Sequence, residues 1–175
     1  MPPVLTTPRL VLRQIEPPDA GFLCELMNEP AYLRHIGDRG VRTPADAAQY
    51  LAEKYVASYT ARGYGLYVVE SKSSGEVVGV AGFIKREVLA DADIGFAFLE
   101  RHREQGFAYE AAIALLGYAR AVLGFRRING VTAPANVASI RLLEKLGLRY
   151  ERMILLEGND AESRLYAMTW DEATV

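Results

Sequence analysis

The residues best placed to do chemistry lie together near the middle of the chain. The apolar run Ile94-Gly95-Phe96-Ala97-Phe98-Leu99 is followed by Arg103-Glu104-Gln105-Gly106-Phe107-Ala108 and then by a helical pattern. A strand that feeds a helix through a short loop leaves the first helical N–H groups without internal partners, at the positive end of the helix dipole. That arrangement holds phosphate or pyrophosphate. Gly106 lets the backbone approach an anion closely. Ala108 keeps the next turn uncrowded, and Arg103 adds positive charge at the rim. The Gly-Lys-Ser/Thr ending of an ATP-binding loop is missing, and a single glycine does not make the dinucleotide fingerprint. A plain strand-to-helix connection fits the same residues, since one glycine at a helix start does not separate the two.

A second constellation is Asn136-Val137-Ala138-Ser139, which opens another helix after a strand. Asn136 is first a helix N-cap. An exposed asparagine amide beside a strand end can also bond the amide of a ligand.

The elements that must position these residues follow from periodicity. Leu10 to Ile15 predicts a strand, ended by Pro17 and Pro18. A helix runs from Asp19 to about Asn28, with Phe22, Leu23 and Leu26 inward. Pro30 to Asp38 is a short helical or irregular piece. Thr43-Pro44-Ala45-Asp46 is a helix start, and Gly63 closes that helix. Strands are expected at Leu66 to Glu70, Val77 to Ile84 and Asp93 to Leu99. Residues Ala108 through Leu123 form a 3.6-period stripe. A strand at Arg127 to Thr132 precedes the helix capped by Asn136. Strands at Leu148 to Leu155 and Arg164 to Trp170 end the chain. This order describes an α+β domain with a mixed sheet. No repeat or linker divides the chain, so residues 1–175 read as one domain.

Composition narrows the function. A net charge of −2 argues against a general nucleic-acid or anionic-membrane binder. One cysteine and two histidines predict no internal disulfide and no zinc site. No run reaches the length of a membrane span, and Met1 to Arg9 does not resemble a signal peptide. A cytoplasmic protein is the expectation.

Taken together, three stretches resemble the GCN5-related N-acetyltransferase superfamily. They are LTTPRLVLRQIEPPDAGFLCELMNEP, DIGFAFLERHREQGFAYEA and NVASIRLLEKLGLRYE. More closely, they resemble the branch of ribosomal-protein alanine N-terminal acetyltransferases. The signature Arg/Gln-x-x-Gly-x-Gly/Ala is met by Arg103, Gly106 and Ala108. The resemblance implies a single-domain acetyltransferase fold: a largely antiparallel sheet of six to seven strands, splayed centrally and flanked by about four helices. It implies acetyl-CoA as co-substrate and a primary amine, small molecule or protein N-terminus, as acceptor. The pyrophosphate is expected on the amides of Arg103, Glu104, Gln105, Gly106, Phe107 and Ala108. The pantetheine arm is expected beside Phe96, Ala97 and Phe98, where a bulge is common. Asn136 and Ser139 match positions that contact the cofactor's far portion. No resident metal is implied. A monomer and a homodimer both stay open.

For catalysis, direct attack of an amine on the thioester requires a donor for the oxyanion, and a backbone N–H around Phe98 is the candidate. Asp93 aligns with a carboxylate common in this branch; it either holds or deprotonates the amine or is a solvated strand-end charge. Glu100 is a weaker candidate and Glu110 reads as an exposed helix residue. Cys24 reads as a core thiol. His35 and His102 read as solvent-facing, and Tyr64 and Tyr67 as cleft-lining or core. Many relatives carry a tyrosine, the acid for the departing thiolate, where this chain has Leu143; no general acid is assigned. Tyr109 stands where threonine is frequent. A non-catalytic acyl-CoA-binding domain of the same fold is the alternative function.

Overall fold

Along Leu10–Arg13, Leu10 and Leu12 are fully buried while Val11 and Arg13 are only partly covered. This is the period-two pattern of a strand packed on one face. The computed structural model, which describes residues 2–171, builds it into an eight-stranded sheet among the described residues. In chain order the strands are β1 (Leu5–Thr6), β2 (Leu10–Arg13), β3 (Leu66–Ser71), β4 (Val77–Ile84), β5 (Asp93–Phe98), β6 (Arg127–Thr132), β7 (Arg149–Ile154) and β8 (Ser163–Thr169). Their spatial order is β1-β2-β3-β4-β5-β6-β8-β7. Eight strands correct the expected six to seven. The addition is β1, which pairs Leu5 with Leu12 and Thr6 with Val11 and is too short to show a period.

The helices are α1 (Ala20–Met27), α2 (Pro30–His35), α3 (Pro44–Tyr50), α4 (Ala57–Arg62), α5 (Phe107–Ala121) and α6 (Val137–Lys145). α3 continues into α4 through a π-helical stretch, Leu51–Val56, so the two form one long helix. Thr43 and Asp46 close a reciprocal capping box at its start, with N···O distances of 3.1 and 2.9 Å. α5 lies against β2, β4 and β5. Its inward face carries Ala111, Ala112, Leu115, Leu116 and Ala119, all buried; the alanines let the helix sit close to the sheet.

All neighbouring strands pair antiparallel except β5 and β6, which run parallel. Those two share one registered pair, Asp93 with Asn129, and beyond it the ladder ends. The central splay is therefore present, but its cause differs from the expected bulge. β5 keeps unbroken register with β4 from Asp93 to Phe98. Register shifts occur elsewhere, at Val69/Glu70 and at Tyr150/Arg152. The gap opens because two parallel strands part after a single pairing.

Candidate active site

The register of β5 decides which of its backbone groups face the gap. The Leu99 N–H donates to the Val78 carbonyl at 3.0 Å. Gly79 and Phe98 are therefore a pair that exchanges no hydrogen bond. The N–H and C=O of Phe98 point away from β4, toward the side where the β6 ladder has ended. By the two-residue period the same holds for Phe96. The Phe98 carbonyl accepts from Arg103 Nε at 2.9 Å, which leaves the Phe98 N–H directed at the gap. The Phe98 ring lies over Gly79, where an added Cβ would stand 2.5 Å from it. Only glycine allows that seating.

The loop after β5 ends on Gly106 at φ 79°, and Glu104 is also left-handed at φ 60°. Left-handed residues among right-handed ones turn successive N–H groups toward one concavity. Among the described residues, none accepts a hydrogen bond from the N–H of Glu104, Gln105, Gly106, Phe107 or Ala108. The Arg103 N–H is used, donating to Glu100 at 3.1 Å. Arg103 itself turns back: Nη2 meets Glu29 at 3.0 Å while Nε holds the Phe98 carbonyl. Its charge thus fixes the end of β5 and is shared with a carboxylate, so it is not a free cation at the rim.

The first turn of α5 is clamped from the other side. Glu110 accepts from the Thr7 hydroxyl at 2.6 Å, from the Arg9 N–H at 2.9 Å and from Arg9 Nε at 2.6 Å. Burial raises its pKa, but these bonds outweigh burial and hold the carboxyl below its ordinary value. The reading of Glu110 as an exposed helix residue is corrected: it is mostly covered and tied to the β1–β2 turn. Arg9 also donates to the Gln105 carbonyl at 2.8 Å and lies 4.7 Å from the Phe107 ring centroid.

At the base of the gap, Asp93 is 1 % exposed. Both its oxygens lie 3.2 Å from Arg86 Nε. Burial pushes its pKa up to about 6, with Arg86 opposing. The alternative of a solvated strand-end charge is therefore corrected. Asn129, its partner on β6, is 3 % exposed; its Nδ2 donates to the Asp91 carbonyl at 3.1 Å.

With this geometry in hand, similarity to known proteins decides the family. The acetyltransferase (GNAT) domain model matches residues 9–149. The chain belongs to the GNAT acetyltransferase family. By family it is an N-acetyltransferase. It is 30% identical over 156 residues to the uncharacterized N-acetyltransferase YoaA of Bacillus subtilis, covering 87% of this chain and 86% of that protein. Among solved structures it resembles a putative ribosomal-protein-serine acetyltransferase from Vibrio cholerae, with a TM-score of 0.78 at 22% identity, covering 97% and 99% of the two chains. It also resembles a ribosomal L7/L12 α-N-protein acetyltransferase in complex with coenzyme A, with a TM-score of 0.75 at 21% identity over 97% and 99%.

Other residues of the GNAT domain fall as follows. Asn136 Oδ1 accepts from the Ser139 N–H at 3.2 Å, so the cap is made and Nδ2 stays available. Leu143 is 1 % exposed and packs on Gly130, where a Cβ would meet it at 2.6 Å. An apolar buried side chain there offers no proton. Tyr109 takes Lys145 Nζ over its ring at 4.1 Å, which joins α5 to α6. His102 is largely covered, 3.9 Å from Glu76, which corrects its solvent-facing reading. Tyr67 is core and stacks on Tyr59, whereas Tyr64 is partly exposed. Tyr64 lines a cleft of about 350 Å³ with Lys85, Asp91, Ala92, Phe125 and Arg127. That cleft lies at the Asp93 end of β5, not beside Phe98. Among the described residues no group of three or more His, Cys, Asp or Glu is placed to hold a metal, and no helix is long and apolar enough to cross a membrane.

Sequence reasoning passed over Thr7, Arg9, Glu29, Arg86 and Asn129. Thr7, Arg9 and Glu29 lie inside the first stretch that carries the family resemblance, which was the available signal. Arg86 and Asn129 lie outside the three stretches, so no local motif marked them.

Proposed function

We propose that this protein transfers an acetyl group from acetyl-CoA to a primary amine, of a small molecule or a protein N-terminus, by direct attack. The observation that carries this reading is the set of unpartnered amides at residues 104–108 beside an unpaired edge of β5. The amides suit a diphosphate at a helix start. The Phe96-Ala97-Phe98 edge suits an extended amide-bearing arm, which would add to β5 as a further strand. Asn136 and Ser139 stand at the start of α6, where the far portion of the cofactor would lie.

In the chemical step the neutral amine attacks the thioester carbonyl carbon. A C–N bond forms, the oxyanion is met by the Phe96 N–H, the gap-facing amide of β5 nearer Asp93 (Phe98 lies roughly 17 Å along the strand from Asp93), and collapse breaks the C–S bond. The nitrogen's proton passes to Asp93 through water. The thiolate takes its proton from solvent, since Leu143 has none to give. A carboxylate with a pKa near 6 is a better base near neutrality than an ordinary aspartate. An α-amine of pKa ~8 is about a tenth neutral at pH 7, so a modest base suffices for it; a lysine of pKa ~10.4 is far less available.

Two measurements test the reading. Specific CoA binding at ~100 times Kd stabilises the native state by about 2.7 kcal/mol, so the melting temperature rises. Thiol release from acetyl-CoA is followed across a panel of α-amines and ε-amines. An unchanged melting temperature removes the cofactor site. Binding without thiol release, peptides included, leaves the non-catalytic acyl-CoA-binding alternative.

A further inference from the structure

Arg9 reaches the start of α5 from the turn between β1 and β2, and three contacts fix its guanidinium there. Nε donates to Glu110 at 2.6 Å and Nη1 to the Gln105 carbonyl at 2.8 Å, while the guanidinium carbon lies 4.7 Å from the centroid of the Phe107 ring. Nη2 has no acceptor among the described residues. It stands 3.2 Å from the place that a Cβ on Gly106 would take. One spare donor, with its positive charge, is therefore held over the middle residue of the unpartnered amides 104–108. The side chain is 49 % exposed, so a solute can reach it.

The loop's own arginines are spent differently. Arg101 pairs with Glu25, and Arg103 is shared between Glu29 and the Phe98 carbonyl. Carboxylates are close by: Glu104 lies within the loop and Glu110 in the first turn of α5. A carboxylate in that turn repels an anion approaching the same amides. Arg9 meets both needs, since its pairing with Glu110 offsets the carboxylate and Nη2 remains for a ligand. Two anchoring bonds and the stack on Phe107 leave the side chain little freedom to lose when an anion binds.

We infer that Arg9 is a cofactor-binding residue: Nη2 donates to the diphosphate of CoA beside the amides of residues 104–108 and supplies the rim charge expected of Arg103. The inference rests on the proposed transferase reading. It gives a residue at the start of the chain, outside the signature motif, a direct part in holding the cofactor.

The test measures CoA affinity by calorimetric titration in the wild type and in Arg9→Gln, at ~0.1 M and ~1 M salt, between which the Debye length falls from about 10 to 3 Å. At the lower salt the variant is expected to bind CoA roughly tenfold more weakly, the worth of a hydrogen bond between charged groups. At the higher salt the two affinities converge. A side chain that only braces the loop weakens binding by the same factor at both salt concentrations; that result, or an unchanged affinity, overturns the assignment. Should Arg9→Gln fail to fold, the wild type decides by itself. Phenylglyoxal, which modifies guanidinium groups, is applied with saturating CoA or with pantetheine, which lacks the diphosphate, and the peptide carrying Arg9 is followed by mass spectrometry. CoA is expected to suppress the modification of Arg9 and pantetheine is not; equal modification with and without CoA overturns the role. A wild-type melting temperature unmoved by CoA removes the transferase reading, and Arg9's part with it. CoA binding in which Arg9 takes no part leaves that reading standing and overturns this inference alone.

Discussion

Single residues set the chemistry through burial. Asp93 is the clearest case, since desolvation raises its pKa from 3.8 to about 6 while Arg86 limits the rise. A carboxyl whose folded pKa is raised stabilises the fold below its unfolded value, and that contribution fades as pH climbs through the folded value. The window here is about pH 4 to 6. Asp93→Asn should therefore gain melting temperature relative to wild type as pH rises across it, and parallel pH curves for the two proteins would contradict this. As the proposed base, Asp93→Asn should lower kcat by roughly a hundredfold with CoA affinity nearly unchanged; wild-type turnover would remove it from the mechanism. Wild-type activity should also fall below about pH 6, as Asp93 takes up a proton. Gly106 poses a different constraint. At φ 79° it starts α5, and Gly106→Glu would put strain, bulk and negative charge at the proposed phosphate position. Loss of CoA-induced stabilisation in a folded Gly106→Glu protein is the expected result; retained affinity speaks against the site.

At the scale of elements, one contact couples the start of the chain to the loop proposed to hold the cofactor. Glu110 in the first turn of α5 receives Thr7 and Arg9 from the β1–β2 turn, across about a hundred residues of chain. Thr7 is 9 % exposed, so removing its acceptor leaves a buried hydroxyl poorly paired. Glu110→Ala is expected to cost about 1–3 kcal/mol and to weaken CoA binding through a loosened loop. Calorimetric melting and CoA titration check both, and loss of stability with full CoA affinity would confine the clamp to folding. The splay between β5 and β6 works at the same scale. A longer ladder would consume the N–H groups of Phe96 and Phe98 and close the gap where the arm is proposed to lie.

For the molecule as a whole, the layout explains how a sheet that is otherwise continuous opens the gap proposed as a binding slot. Among the described residues seven neighbouring pairs connect eight strands, and the shortest registered ladder is the parallel one between β5 and β6. α5 packs on β4 and β5 on one side of it and α6 on β6 on the other, and Lys145 over the Tyr109 ring joins the two helices. Covering the slot with a ligand that touches both halves should raise the unfolding temperature of the entire domain in one transition. A calorimetric scan with CoA that shifts only part of the melting would show the halves to be independent.

Much of this architecture was legible in the chain because its signals are local. The capping box of Thr43 and Asp46, the stripe of α5, the Asn136 cap and the glycine before Phe107 are contained within a few residues, where turn chemistry and periodicity act. The family resemblance added the expectation of a cofactor loop at residues 103–108, again a contiguous motif. What tertiary structure alone decided has the opposite character. That Asp93 is buried under Arg86, that Glu110 is gripped by Thr7 and Arg9, and that Arg103 turns onto Glu29 all depend on which segments meet. So does the splay, which arises from two strands parting after one pair and not from a bulge written into β5. Local sequence determines the elements because their hydrogen bonds close within the segment; the site's electrostatics depend on burial and on partners far along the chain, which exist only once the sheet is assembled.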